Sequence, residues 1–225
     1  MKQSGEQHRD LIVTGSVPVA QILQDFPALK RPSMIEQEMC LIMNKTRLKE
    51  NFVHQWVEVY VSAIIEYGTA STKKALRTLM KELVVDREDN VVMQLIALKV
   101  LATALGKGDK SLIYLYKEHN EMERVETACL GNPVRNQPWI AAFLGDGAAQ
   151  YVVVFERKSY TKVSSLEMAI YVTFSLYYCL NLEYPDGAKL IFSYFQDFVL
   201  EEPDKCHKSA TYLSVTSDIK RCLSI

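Results

Sequence analysis

The chain lacks an excess of charge of either sign: 26 Lys and Arg stand against 27 Asp and Glu. Such a balance exerts no broad pull on nucleic acid or on an anionic membrane, and leaves only a local patch as a source of attraction. A long apolar run is missing too. The longest stretch without a charged residue covers 168–182, short of the roughly 20 residues that a membrane-spanning helix needs. The opening segment MKQSGEQHRDLIVTGS carries no extended apolar region, so no secretory leader is expected. The cysteines, Cys40, Cys129, Cys179, Cys206 and Cys222, are odd in number and widely spaced. They read as reduced thiols of an intracellular protein, cytoplasmic or nuclear, rather than as a disulfide framework.

Chemical motifs are equally scarce. The histidines, His8, His54, His119 and His207, stand at no metal-ligand spacing, and no C-x-x-C occurs. Adjacent Cys206 and His207 cannot readily turn both side chains to one ion. GKGDKS at 106–111 ends in Lys-Ser as a phosphate-binding loop does, but it follows a helical pattern, and Asp109 stands where the second glycine belongs. DREDN at 86–90 lacks the glycine and terminal glutamate of a calcium loop and suits a helix start. No G-x-S-x-G elbow is present. These absences predict no catalytic, cofactor-binding or metal-ligating residues, and a protein that is not an enzyme. An enzyme with an unrecognised site remains as a second alternative.

What the sequence does hold is helical periodicity. Residues 1–16 are polar and read as a disordered tail, and 17–225 as a single mixed domain. Ser16 is expected to cap a short helix with Pro18 in its first turn, ending near Phe26 and Pro27. A second helix covers Met34 to Met43, its methionines filling core gaps. Phe52, Trp56, Tyr60, Ile64 and Tyr67 then recur at helical spacing, and Gly68 is placed to end that helix. Thr72 is expected to cap the next, with Leu76, Leu79, Met80, Leu83 and Val84 on one face. Val91 to Leu105 carries Lys99 as its one charge, which predicts burial on most sides. Gly106 and Gly108 stop it, and Asp109 is expected to cap a short helix through Tyr116.

WIAAFL, YVVVFE and SYTKV, separated by turn residues, then predict a small antiparallel meander over 138–163. Helix returns with Ser164 and Glu167 spaced as a capping box. The aromatic stretch YYCLNLEYPDGAKLIFSYFQDFV reads as two packed helices joined at Pro185, with Tyr177 and Tyr178 brought back against Tyr194, Phe195 and Phe198. Pro203 is expected to close the second, and a last helix runs from Thr211 to Cys222. The two apolar helices, Val91 to Leu105 and Leu166 to Asn181, are expected to be central and adjacent. The predicted fold class is therefore α+β, mainly α-helical: a helical bundle over 17–130 and 164–223 with the meander inserted between two helical groups.

Two surfaces invite a functional reading. Lys73, Lys74, Arg77 and Lys81 fall on one helix face, where they can contact nucleic-acid phosphates or simply face solvent. YVVVFE can add to a partner's sheet edge or serve as an ordinary internal strand. The solvated face and the internal strand are the preferred readings.

The order of PVAQILQDFPALKRPSMIEQEM, the helix ending at Leu105, and YYCLNLEYPDGAKLIFSYFQDFV resembles the C-terminal region of vertebrate, chiefly fish, sterile alpha motif domain-containing protein 3-like proteins, over about residues 17–223. The resemblance implies little chemistry: none of its motifs is catalytic, and it transfers no site residues. The expectation is thus an intracellular, non-enzymatic protein-interaction or regulatory domain that needs no cofactor and spans no membrane. The alternative is a nucleic-acid-associated protein of mobile-element origin that uses the basic helix face.

Overall fold

The computed structural model of the chain describes residues 9–12, 14, 17–83, 89–106, 112–116, 137–144, 149–156, 158–203 and 208–223. The fold is α+β and mainly helical, with one four-stranded sheet. Backbone contacts gather into two compact units. The first comprises Met1–Leu48, Leu115–Ser165 and Ala169–Glu183; the second comprises Lys49–Tyr114, Leu166–Met168 and Tyr184–Ile225.

Of the stretch read as a tail, residues 1–8, 13, 15 and 16 lie outside the described residues. Residues 9–12 are helical, Ile12 is buried, and the Arg9 guanidinium donates to the Cys179 carbonyl at 2.9 Å. A buried apolar side chain and a charged donor with a fixed acceptor hold a segment whose composition alone looks unstructured. Helix α1 (Val19–Asp25) starts after Pro18, and a 3₁₀ turn (Pro27–Lys30) leads to α2 (Pro32–Met43). Met39 and Met43 are buried, as gap-filling residues should be. Asn44, at φ 49°, ends α2 in the left-handed conformation, and Lys45 N–H returns to the Cys40 carbonyl at 3.1 Å.

The sheet runs β1 (Ile113–Tyr116), β2 (Trp139–Phe143), β3 (Gln150–Phe155), β4 (Lys158–Val163), in that order. The sequence pattern places residues 113–116 in a helix, and the structure corrects this. IYLY is β-branched and aromatic, and its Tyr116 carbonyl accepts from Leu144 N–H at 2.9 Å while its ring stacks on Phe143 at 5.2 Å, so pairing overrides the helical reading. β3 lies between β2 and β4, antiparallel to both, which makes YVVVFE an internal strand. A register shift after Val153 leaves Tyr160 without an opposite residue, and its hydroxyl reaches the Leu29 carbonyl at 3.0 Å.

Helix α7 (Leu166–Cys179) is buried on nearly every side, as its composition requires. Its N-cap is Ser165, which makes no side-chain capping bond; the expected Ser164–Glu167 box does not form, because the helix starts one residue later than that spacing requires, and Glu167 accepts from Gln94. At the other end Asn181 N–H (φ 50°) donates to the Tyr178 carbonyl and Leu182 N–H to that of Tyr177. The helix therefore closes through a left-handed asparagine before the restriction imposed by Pro185 applies. Tyr177 donates to the Pro138 carbonyl at 2.9 Å, and Tyr178 stacks on Phe174.

The second unit is helical. Helix α3 (Leu48–His54) passes into a wide π-turned segment (Gln55–Tyr60) and on into α4 (Val61–Ala70). Gly68 does not end this helix. A Cβ built there would lie 3.0 Å from both methyls of Val100 and 3.2 Å from the Met80 sulfur, so the glycine exists for close approach. Helix α5 (Lys74–Glu82) follows, then α6 (Asn90–Ala104), whose N-cap Asp89 accepts from Val91 and Val92 N–H. Gly106, at φ 71°, follows its end.

Pro185 opens a turn, not yet a helix: Ala188 and Lys189 N–H both donate to its carbonyl. Helix α8 (Lys189–Tyr194) then continues as a second π-turned segment (Phe195–Val199). Glu201, at φ 55°, rather than Pro203, marks its end. The two π-turned segments pack together, with Phe195 edge-on to Trp56 at 5.1 Å and to Phe52 at 5.6 Å, while Tyr194 meets Tyr60 at 5.8 Å. Helix α9 (Ala210–Cys222) is capped by Ser209, which accepts from Tyr212 N–H, and packs on α4.

Candidate functional site

Helix α5 has the sharpest division between apolar and charged faces of any described element. Leu76 is fully buried, and Leu79, Met80 and Leu83 are half-buried, as α5 seats against α4 and α6. The missing Gly68 side chain admits Met80 to that seat. Lys73, Lys74, Arg77 and Lys81 are all exposed on the other side, as their spacing predicts. Thr72 does not cap the helix. Lys73 occupies the N-cap with no side-chain bond of its own, and Ser71 Oγ accepts its N–H at 3.3 Å.

The cations are arranged against the helix's own electrostatics. Lys73 and Arg77, and Arg77 and Lys81, stand four residues apart; Lys74 and Arg77 stand three apart. Like charges at these spacings oppose helix formation. Lys73 and Lys74 sit at the positive end of the helix dipole, and the first turn holds no acidic residue. None of the four makes an ion pair with a described residue, whereas Lys208 and Arg221 of the same unit do.

Other polar clusters are built inward. The Trp56 indole donates to Gln94 in a buried bond, and Gln94 donates to the half-buried Glu167 Oε2 at 2.9 Å, a relay that no spacing rule announces. Asp197 Oδ2 accepts from the Tyr212 hydroxyl at 2.7 Å and from Lys208 Nζ at 3.2 Å. In the first unit, an open groove of about 640 Å³ lies along α2, lined by Ser33, Gln37, Cys40 and Asn44, with Leu41 standing exposed.

Two of the thiols, those of Cys179 and Cys222, are held in the protonated form. Burial pushes Cys179 far above the ordinary thiol range; Glu38 raises it further, and Arg9 pulls it down by less. Its thiol donates toward the Ile35 carbonyl at 3.5 Å. Burial, with Glu66 and Asp218, also raises Cys222. Thiols held protonated are poor nucleophiles. Among the described residues, Cys40, Cys179 and Cys222 are unbridged, no group of His, Cys, Asp and Glu is placed to hold a metal, and no helix is long and apolar enough to cross a membrane. Cys129, Cys206, His8, His119, His207, Ser16, Val84, 86–88 and 107–111 lie outside the described residues.

Comparison with known protein families, with curated proteins and with solved structures finds no match to this chain.

Proposed function

We propose that this chain is a non-enzymatic interaction domain that acts inside the cell, in cytosol or nucleus, and engages an anionic partner through the exposed face of α5. The observation that carries this reading is a cationic row, unpaired among the described residues, on a helix firmly seated by its opposite face. Solvated helix faces ordinarily alternate carboxylates with cations and gain from the pairing. Here neighbouring cations repel one another, Lys73 and Lys74 stand at the positive end of the dipole while Lys81 in the last turn suits it, and an anion laid along the row relieves the repulsion. The chain as a whole, at net charge −1, exerts no general attraction on polyanions. The unbridged thiols among the described residues support a reducing compartment.

Retention on heparin resin tests the reading. The protein is expected to bind at about 50 mM salt and to elute as salt rises. Lys73→Glu/Arg77→Glu is expected to flow through while melting no lower than the parent, because a carboxylate at the start of the helix and one four residues before Lys81 both favour it. Equal retention of parent and variant overturns the proposal.

A further inference from the structure

We infer that the anion recognised by α5 is the phosphate backbone of duplex nucleic acid, bound without regard to sequence. This rests on the anionic-partner reading above and narrows it.

Three features of the face favour this partner. The first is its geometry. From Lys73 to Lys81 the helix rises roughly 12 Å, comparable to the rise over three to four phosphates along one strand of a duplex. The cations form a row rather than a cluster, which suits a line of charge better than a single carboxylate or phosphate. The second is what flanks the cations. The remaining exposed positions are Ala75, Thr78 and Glu82, with no large apolar side chain. Protein interfaces place aromatic or aliphatic anchors at their centre, so an acidic protein surface finds nothing here to dock on. Single strands are held by aromatic platforms on which bases stack, and the row has none. The third is composition. Three lysines and one arginine supply point charges for phosphates, while one planar guanidinium is too little to read base edges. Glu82 is turned about 100° from Lys81 around the helix and borders the row at its far end.

The test is fluorescence anisotropy with a labelled duplex of random sequence and with the matching single strand, using the full chain. Four phosphate contacts predict that log K falls against log salt with a slope of about −3 to −4 for duplex. Lys81→Gln is expected to reduce that slope by about 1. Lys73→Glu/Arg77→Glu is expected to lower affinity roughly tenfold or more at about 50 mM salt. Lys30→Glu/Lys162→Glu, a matched change in net charge at exposed positions of the other unit, is expected to leave binding within about twofold of the parent. A scrambled duplex sequence should bind equally.

Duplex binding that is absent, or equally weakened by both double variants, overturns the inference. Tighter binding to single strand than to duplex also overturns it. If heparin retention depends on Lys73 and Arg77 but duplex does not bind, the anionic-partner reading stands and the nucleic-acid inference fails. Binding of poly-glutamate in place of duplex likewise overturns the inference and points to an acidic protein.

Discussion

The indole N–H of Trp56 donates to Oε1 of Gln94 at 3.0 Å, and both side chains are shut off from solvent. Trp56 lies in the first π-turned segment and Gln94 in a mostly apolar helix. A π turn shifts its side chains out of the regular helical series, and here the shifted indole has a fixed acceptor. Gln94 spends its other end on Glu167. Gln94→Leu strands the indole donor and is expected to destabilise the protein by about 1–3 kcal/mol. Trp56→Phe/Gln94→Leu should cost less than the sum of its single changes, with a coupling of roughly 0.5 kcal/mol or more. Urea unfolding of the cycle measures it; strict additivity sinks the relay as an energetic unit.

Gly68→Ala separates two opposed effects. Inside a regular helix, alanine gains about 0.5–1 kcal/mol over glycine. At this position its methyl meets both Val100 methyls at 3.0 Å, and Val100 is fully buried. Met80 is flexible and half-buried and can yield. A β-branched side chain in a helix has one strongly preferred rotamer and cannot. Overpacking of this kind costs about 1–3 kcal/mol, so net destabilisation is expected. Val100→Ala should cost less in the Gly68→Ala background than alone. A Gly68→Ala protein that resists urea as well as the parent contradicts the close-packing account.

Gly68 also marks the limit of what the sequence makes legible. Helical runs of apolar residues are readable because burial follows the 3.6-residue period, so the helices containing Trp56, Leu98 and Tyr171 stand where the pattern puts them. Ends are harder. Gly68 fits a helix stop by composition, but its real constraint is Val100, 32 positions along the chain. Ser164 and Glu167 have capping-box spacing, yet the helix takes Ser165 as its N-cap, one residue out of register, and Glu167 accepts from Gln94 instead. IYLY at 113–116 is too short for periodicity to decide, and only pairing makes it a strand. The α5 row is legible because four exposed cations at helical spacing need no tertiary information. Their lack of ion-pair partners among the described residues is not, since it depends on which carboxylates the fold brings near.

Alkaline pH should unfold the protein early. Burial raises Tyr60, Tyr160, Tyr171, Tyr177 and Tyr194 above the ordinary phenol range, and Cys179 above that of a thiol. Each keeps its proton in the folded chain at pH values where the unfolded chain has lost it. Their contribution is therefore complete below about pH 8.5 for the thiol and about pH 10 for the phenols, and declines as pH rises beyond those values. Melting temperature is expected to be level near pH 8, to slip above about 8.5, and to fall steeply above about 10. Cys179→Ala should soften the first part of the fall. A melt unchanged to about pH 11 contradicts the burial of these groups.

The second π-turned segment is tied to α9 through Asp197, whose Oδ2 receives the Tyr212 hydroxyl at 2.7 Å and Lys208 Nζ at 3.2 Å. The carboxylate side chain is only 9% exposed and that of Lys208 14%, so water screens the pair weakly. Lys208 also stands 5.2 Å from the Tyr212 ring centroid, which couples the three groups. Removing one member of a poorly solvated pair costs more than the pair itself is worth, because the partner is left in place without its compensation. Asp197→Ala is therefore expected to cost about 2–4 kcal/mol, and Tyr212→Phe, which removes one charge-assisted bond and keeps the ring, about 1.5 kcal/mol. Lys208→Met keeps the stem over the ring and should cost less than Asp197→Ala. In the Asp197→Ala background Tyr212→Phe should be nearly neutral, since the hydroxyl has lost its acceptor. Chemical denaturation of the four variants measures the set; equal costs for Tyr212→Phe with and without Asp197 would show that the hydroxyl bond contributes nothing to holding the segment.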